Sequence, residues 1–223
     1  DCMEEAWWTP GSLLPDGTYG GFHVPGESGK PHVIIVGPDG KRVGNEAGAY
    51  MEFGQRMYAK GAVPSFAILE SRVLSYYSWG PIMVGTSVKP FIDNGYLIAD
   101  DTLEGLARKC GIDVAGFTAE VARFNGFAAS GVDEDFHRGE RGYDNCGYVG
   151  DPYSQPGSIG TIERGPFYAV PVVPGDVSTY GGVVTDERGR VVDGAGAPIP
   201  GLYATGVTTA SVMGNVYVAA GAS

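Results

Sequence analysis

Apolar residues fall along this chain in two kinds of pattern. Short unbroken runs, His32 to Val36, Phe66 to Leu69 and Phe167 to Val173, are rich in β-branched and aromatic side chains and predict strands. Gly37-Pro-Asp-Gly40 ends the first of them with a tight turn, and residues 41–46 continue as a short strand or extended piece. Helical spacing appears three times. Ala49 to Lys60 puts Tyr50, Phe53, Met57 and Tyr58 on related faces, and Pro64 breaks the pattern. Asp101 to Gly111 has Leu103, Leu106 and Ala107 on one face, Asp101 or Thr102 as cap, basic Arg108 and Lys109 at the end, and Gly111 as stop. Asp113 to Ala129 follows, apolar at Phe117, Val121, Phe124 and Phe127. Gly181 to Val192 predicts a hairpin turning at Asp186 to Gly189.

The remaining stretches carry weaker patterns. Residues 1–31 are rich in Gly and Pro and read as an opening loop that packs Trp7, Trp8 and Tyr19 onto a core. Residues 70–99 are mixed, and Tyr76, Tyr77 and Trp79 read either as core or as an apolar wall for a flat ligand. Val132 to Ser158 is a long polar loop, of the length that usually serves a site. At the end, a strand over Leu202 to Ala204 runs into Gly206 and then a series of small residues with little bulk before Tyr217. Chains thin in this way where backbone approaches something large and flat, so the tail reads as half of a cofactor site.

Composition narrows the class. With 37 glycines and 15 prolines in 223 residues, a loop-rich α+β fold is favoured over a helical bundle. A formal net charge of −11 argues against a nucleic-acid partner and an anionic membrane surface, and no apolar run of about 18 residues predicts a transmembrane segment. No signal peptide is visible, and the start Asp1-Cys2-Met3 without an initiator Met reads as a piece of a longer protein. Cys2, Cys110 and Cys146 lack disulfide or zinc spacing, which fits a reducing, cytoplasmic setting. His23, His32 and His137 form no metal spacing and read as surface or loop histidines, so no metal is expected.

Five blocks in fixed order carry a family resemblance: Gly-Lys-Arg-Val-Gly-Asn-Glu (40–46), Gly-Val-Asp-Glu-Asp-Phe-His-Arg-Gly (131–139), Gly-Pro-Phe-Tyr-Ala-Val (165–170), Thr-Tyr-Gly-Gly-Val-Val-Thr-Asp (179–186) and Pro-Gly-Leu-Tyr-Ala-Thr-Gly (200–206). With them the chain resembles the FAD-dependent fumarate reductase and 3-ketosteroid dehydrogenase superfamily, and within it the 3-ketosteroid Δ1-dehydrogenases. The resemblance covers nearly the whole chain. It implies an α+β substrate-binding (capping) domain over residues 1–175. Residues 176–223 would be a hairpin and strand returning to an incomplete FAD-binding domain, whose N-terminal Rossmann-like part is absent. No Gly-x-Gly-x-x-Gly opens a helix here, so the chain alone is expected to bind FAD weakly or not at all and to be inactive.

The resemblance also implies the chemistry. Fumarate reductases clamp a dicarboxylate with an arginine four residues after the Asn-Glu pair, a histidine before the Gly-Gly pair and a second arginine in the tail. Here those places hold Tyr50, a segment 174–182 without histidine, and Tyr217. A neutral, apolar ketone fits the exchange. In the ketosteroid dehydrogenases a tyrosine hydroxyl and a glycine N–H four residues later hold the C3 carbonyl oxygen; Tyr217 and Gly221 have that spacing. Tyr50 matches the base that takes the C2 proton, while flavin N5 accepts the hydride from C1. An unperturbed tyrosine, with a pKa of about 10, needs help from neighbours for that role. Gly206, Thr208 and Ser211 match cofactor-lining positions. Gly181 and Gly182 serve either a turn or a close backbone approach to the flavin. Val218-Ala219 stands where the family has Pro-Gly.

From the residues alone, Tyr50 would be a core aromatic in register with Phe53 and Met57; the Asn45-Glu46 block reassigns it. Arg138 reads as structural, paired with Glu134 or Asp135. Two other functions remain: a different enone or enoate oxidoreductase on the same scaffold, 3-ketosteroid 4,5-dehydrogenation included, and a non-enzymatic binding module. The expected partners are a small apolar ketone and the missing FAD-binding domain.

Overall fold

A computed structural model describes residues 6–154 and 157–214. In chain order the elements are β1 (Ala6–Leu13), β2 (Tyr19–Phe22), α1 (Pro25–Ser28), β3 (Val33–Val36), α2 (Tyr50–Ala59), β4 (Ser65–Leu69), α3 (Ser71–Tyr76), α4 (Lys89–Asp93), β5 (Ile98–Asp100), α5 (Leu103–Cys110), α6 (Val114–Ser130), β6 (Phe167–Thr179), β7 (Arg190–Val192), β8 (Pro198–Tyr203) and a single 3-10 turn, Gly206–Thr208. The described chain divides into a larger unit, Thr9–Gly175, and a smaller one that holds residues 6–8 with 176–214.

The apolar runs become the centre of a six-stranded sheet ordered β2-β1-β6-β4-β3, with β5 also pairing with β6. The pairs β3–β4 and β4–β6 are antiparallel, with Ile35 opposite Ala67 and Ala67 opposite Val170. Side chains on a strand alternate between faces, so one register supplies two cores. Val33, Ile35, Ala67, Leu69, Val170 and Val172 pack with Phe53 and Met57 of α2 and with Trp79, Tyr96 and Leu97. Ile34, Val36, Phe66, Ile68, Phe167 and Ala169 pack with Leu106 of α5 and Phe117, Val121 and Phe124 of α6. All four residues of β3 are fully buried, which is why its run carries no polar position.

Local chemistry sets the ends of α5 and α6. The Thr102 hydroxyl accepts the Gly105 N–H at 3.0 Å, and Gly111 ends α5 with φ 69. Asp113 caps α6 by accepting the Gly116 N–H at 2.7 Å. Gly40, φ +75, lets the turn after β3 seat against that helix start: a Cβ there would lie 2.3 Å from the Phe117 nitrogen. Replacing Thr102 with Ala is expected to lower stability by about 1 kcal/mol. Urea denaturation measures this, and an unchanged midpoint would show the cap to be idle.

Several expectations are corrected. The opening stretch is no loop: β1 and β2 pair antiparallel, Gly11 opposite Phe22. Pro10 and Gly11 inside β1 hide it from a propensity reading. The mixed stretch 70–99 contains α3, α4 and the start of β5; the two helices have six and five residues, too short for periodicity to register. The hairpin turn at 186–189 is present, closed by the Gly189 N–H on the Asp186 carbonyl, but its first arm makes only the Thr185–Val191 bridge. The regular partner of β7 is β8, which begins at Pro198 rather than at Leu202.

Candidate functional site

Glu46, the last residue of the Asn-Glu block, lies at the centre of a buried ionic cluster. Arg42 donates to it through Nε at 3.0 Å and Nη2 at 2.7 Å, and reaches Asp133 with two further bonds at 3.1 and 3.0 Å. Arg138 Nη1 donates to Glu46 at 2.9 Å and to the Val33 carbonyl at 2.8 Å, while its Nη2 reaches the Lys30 carbonyl at 2.8 Å. The four side chains are buried, two of each sign. Burial by itself would raise the Glu46 carboxyl, but Arg42 and Arg138 overcome this and hold it below its ordinary value. The Arg42 guanidinium also lies 4.8 Å from the Phe124 ring centroid.

Arg138 is therefore structural, yet its expected partners are wrong. Glu134 and Asp135 face Arg123 on α6, whose guanidinium donates to Asp135 at 2.8 and 2.7 Å. Arg138 points inward instead, and its guanidinium pairs with Glu46.

The cluster pins the segment that leads into α2. The Glu46 carbonyl accepts the Ser28 hydroxyl at 2.7 Å. Asn45 Nδ2 donates to buried Asp144 at 3.1 Å, and Asn45 Oδ1 accepts the Ala47 N–H at 2.9 Å. Asp144 also accepts the Gly139 N–H at 3.0 Å, so the long polar loop is tied to this segment at several points. Four residues beyond Glu46, Tyr50 is the first residue of α2. The helix buries Met51, Phe53, Gly54 and Met57; Tyr50 shares their side of the helix by spacing, but at its first turn it is only half-buried. Tyr50 is thus not among the fully buried core aromatics.

The expected cofactor residues come together in the smaller unit. Segments 180–183 and 208–211 run side by side: Val183 N–H to Thr208 O at 3.1 Å, Ala210 N–H to Val183 O at 2.9 Å, and Ser211 N–H to Tyr180 O at 2.8 Å. Gly181, Gly182 and Thr208 line a cavity of about 900 Å³ together with Val183, Val184, Val191, Val192 and Val207. Gly206 and Ser211 line a second one of about 160 Å³. Tyr217 and Gly221 lie outside the described residues.

Gly182 also has a packing role. A Cβ at this position would sit 2.4 Å from the Thr208 carbonyl oxygen, so the glycine permits the parallel Val183–Thr209 contact that builds the cavity wall. Gly182→Ala is expected to force these segments apart and destabilise the chain by about 1–3 kcal/mol. Wild-type stability in thermal unfolding would contradict that packing role.

The wall tests what the large cavity can hold. Its lining residues are valines, glycines and small hydroxyl or carboxyl residues, without Lys or Arg. Asp193 spends its carboxylate on its own turn, accepting the Ala195 and Ala197 N–H groups at 2.9 Å each. Such a wall fits a flat, neutral ring system with backbone polar groups, as in the isoalloxazine part of FAD. It offers nothing for a pyrophosphate. Sequence reasoning found the glycines but missed the valines, whose signal was the Gly-Val-Val repeat across positions 182–184.

One of the histidines, in the loop between β2 and α1, is far from the surface. His23 is fully buried and stacked on Trp79 with ring centroids 4.2 Å apart. Its ring nitrogens bond Glu27 at 2.8 Å and Ser12 at 2.7 Å, and Ser12 bonds the Tyr96 hydroxyl at 2.8 Å. Trp79 belongs to the core, and Tyr77 bonds Asp151. Among the described residues no three His, Cys, Asp or Glu side chains gather as a metal site, and no helix is long and apolar enough to cross a membrane.

Comparison with known proteins adds the following. The family described as FAD binding domain matches residues 1–223. A 3-oxosteroid 1-dehydrogenase of Mycolicibacterium smegmatis is 39% identical over 97% of this chain and 39% of its own length. A 4-oxocyclohexanecarboxylate 2-dehydrogenase of Sinomonas cyclohexanicum is 37% identical over 98% of this chain and 39% of its own length. The crystal structure of a 3-ketosteroid Δ1-dehydrogenase from Sterolibacterium denitrificans in complex with 1,4-androstadiene-3,17-dione matches with a TM-score of 0.88 and 36% identity, over 97% of this chain and 40% of that one. The chain thus spans about two fifths of the length of these relatives.

Proposed function

The chain belongs to the FAD-binding domain family, and from that premise we propose that it is the substrate-binding and catalytic part of a flavin-dependent oxidoreductase that desaturates ring A of a 3-ketosteroid between C1 and C2. The observation that carries this reading is Tyr50 at the first turn of α2, half-buried and directly after a segment pinned through Asn45 and Glu46. The 0.88 likeness to a steroid-bound Δ1-dehydrogenase supports it.

In this reading residues 1–175 form the capping domain and residues 176–223 the return segment. Tyr50 takes the C2 proton. It stands at the positive end of the α2 dipole, which favours the anionic form a base needs. The Tyr217 hydroxyl and the Gly221 N–H donate to the C3 carbonyl oxygen, so the charge that builds there as C2 loses its proton is held by two donors. Bound FAD would supply the hydride acceptor for C1. Gly181, Gly182 and Thr208 would face its ring, with Gly206 and Ser211 beside them. Apolar walls keep water from the reacting carbons. The free thiols of Cys110 and Cys146 support a cytoplasmic setting.

A second reading rests on the Sinomonas relative, whose name describes a single-ring ketone. The same base and carbonyl donors would serve any ketone with adjacent CH groups. The full-length, flavin-loaded protein should reduce an artificial electron acceptor with a 3-keto-4-ene steroid. Turnover of 4-oxocyclohexanecarboxylate alone would select the second reading, and turnover of fumarate-like acids would sink both. The 223-residue chain by itself is expected to show no flavin absorbance, and full-stoichiometry FAD would contradict a divided cofactor site.

A further inference from the structure

Two arginines line one small cavity of the larger unit, and Lys60, which donates to the Arg42 carbonyl at 3.0 Å, lies close by. The cavity, about 170 Å³, lies between α2 and the 135–141 loop and is lined by Asn45, Glu52, Phe53, Arg56, Phe136 and Arg141 among others. Among the described residues no ion pair engages Arg56, Arg141 or the neighbouring Lys60. The Arg56 guanidinium is 6.0 Å and the Lys60 ammonium 5.1 Å from the centroid of the same Phe136 ring. The stem of Arg56 is seated: a Cβ at buried Gly44 would come within 3.1 Å of Arg56 Cδ, so the bare backbone there leaves the stem its room.

The nearby carboxylates are largely spent. Asp135, which lines the cavity, is held by two bonds from Arg123, and Glu140 is bonded to His137 at 2.9 Å. Glu52 is left as the opposing charge on the lining. Uncompensated positive charge in a chain of net charge −11 raises the local potential and calls for a counterion. Guanidinium forks match the oxygens of carboxylate and phosphate, and the Phe53 and Phe136 rings give one dry wall that strengthens such bonds.

We infer that this cavity binds a small oxyanion, a carboxylate or a phosphate, between Arg56 and Arg141. The site is separate from the proposed base. Glu52, Phe53 and Arg56 of α2 line it, and Tyr50 is not among its lining residues.

The test is isothermal titration of the chain with inorganic phosphate and, separately, with acetate. Saturable binding is expected for at least one probe. Arg56→Gln and Arg141→Gln should each weaken it by about tenfold, and Glu52→Gln should tighten it. Saturation by phosphate alone identifies a phosphate as the ligand; saturation by acetate identifies a carboxylate. All three side chains are exposed, so unchanged circular dichroism separates loss of binding from loss of fold. Failure of both probes to saturate, or wild-type affinity in both arginine variants, overturns the assignment.

Discussion

Tyr50→Phe is expected to reduce steroid-dependent dye reduction by the full-length, flavin-loaded protein by about 100- to 10,000-fold, the usual contribution of a positioned base. The substitution removes one oxygen from a half-buried residue at the start of α2 and leaves Met51, Phe53 and Met57 in their core contacts. Flavin absorbance and melting temperature should therefore be unchanged. The loss should fall on kcat rather than KM, because the hydroxyl acts on the proton being transferred and adds little to ground-state binding. A variant that keeps even a tenth of the wild-type rate would remove Tyr50 from the chemistry and leave it a wall residue.

The largest stability effect is expected at Glu46. Glu46→Gln keeps the shape but deletes one of two buried negative charges, so Arg42 and Arg138 face Asp133 alone. Breaking a buried pair from one side costs about 3–5 kcal/mol, since the remaining charge stays desolvated. Denaturant unfolding measures it; a loss below about 1 kcal/mol would mean that the arginines relax to solvent. The same group predicts a pH dependence. The folded Glu46 carboxyl lies below its ordinary value of 4.5, so its stabilisation is complete above that pH and is lost as the pH falls further. The wild-type chain should weaken as the pH falls below about 4.5, and the Gln variant should lack this component of the slope.

What could be read from the sequence depended on whether the signal was local. The strands around Ile35, Ile68 and Val170 and the helices bearing Leu106 and Phe124 were visible, because burial on a face repeats at short intervals. Strand β1 was not, since its burial comes from partners that share no periodicity with Pro10 and Gly11. The partner of Arg138 was missed for the same reason. Glu134 and Asp135 are adjacent in sequence, but Glu46 is 92 positions away and shares the buried side of the loop. Likewise Ser12, His23 and Tyr96 gave no motif, although they bond in series. The cofactor glycines were legible as small residues; that Gly182 also presses on Thr208 needed three dimensions.

The order β2-β1-β6-β4-β3 has a consequence for the way the chain is made. The strand between β1 and β4 begins at Phe167, so on the ribosome both neighbours emerge long before the one that joins them. Until then β4 can pair only with β3, and Ala67 and Leu69 lack Val170 and Tyr168 beside them. The ties from Asp133, Arg138 and Asp144 to the segment before Tyr50 arrive almost as late. The start of α2 is therefore anchored only after residues 133–144 have been made, and a nascent chain stalled before residue 133 would hold α2 without the anchors of its first turn.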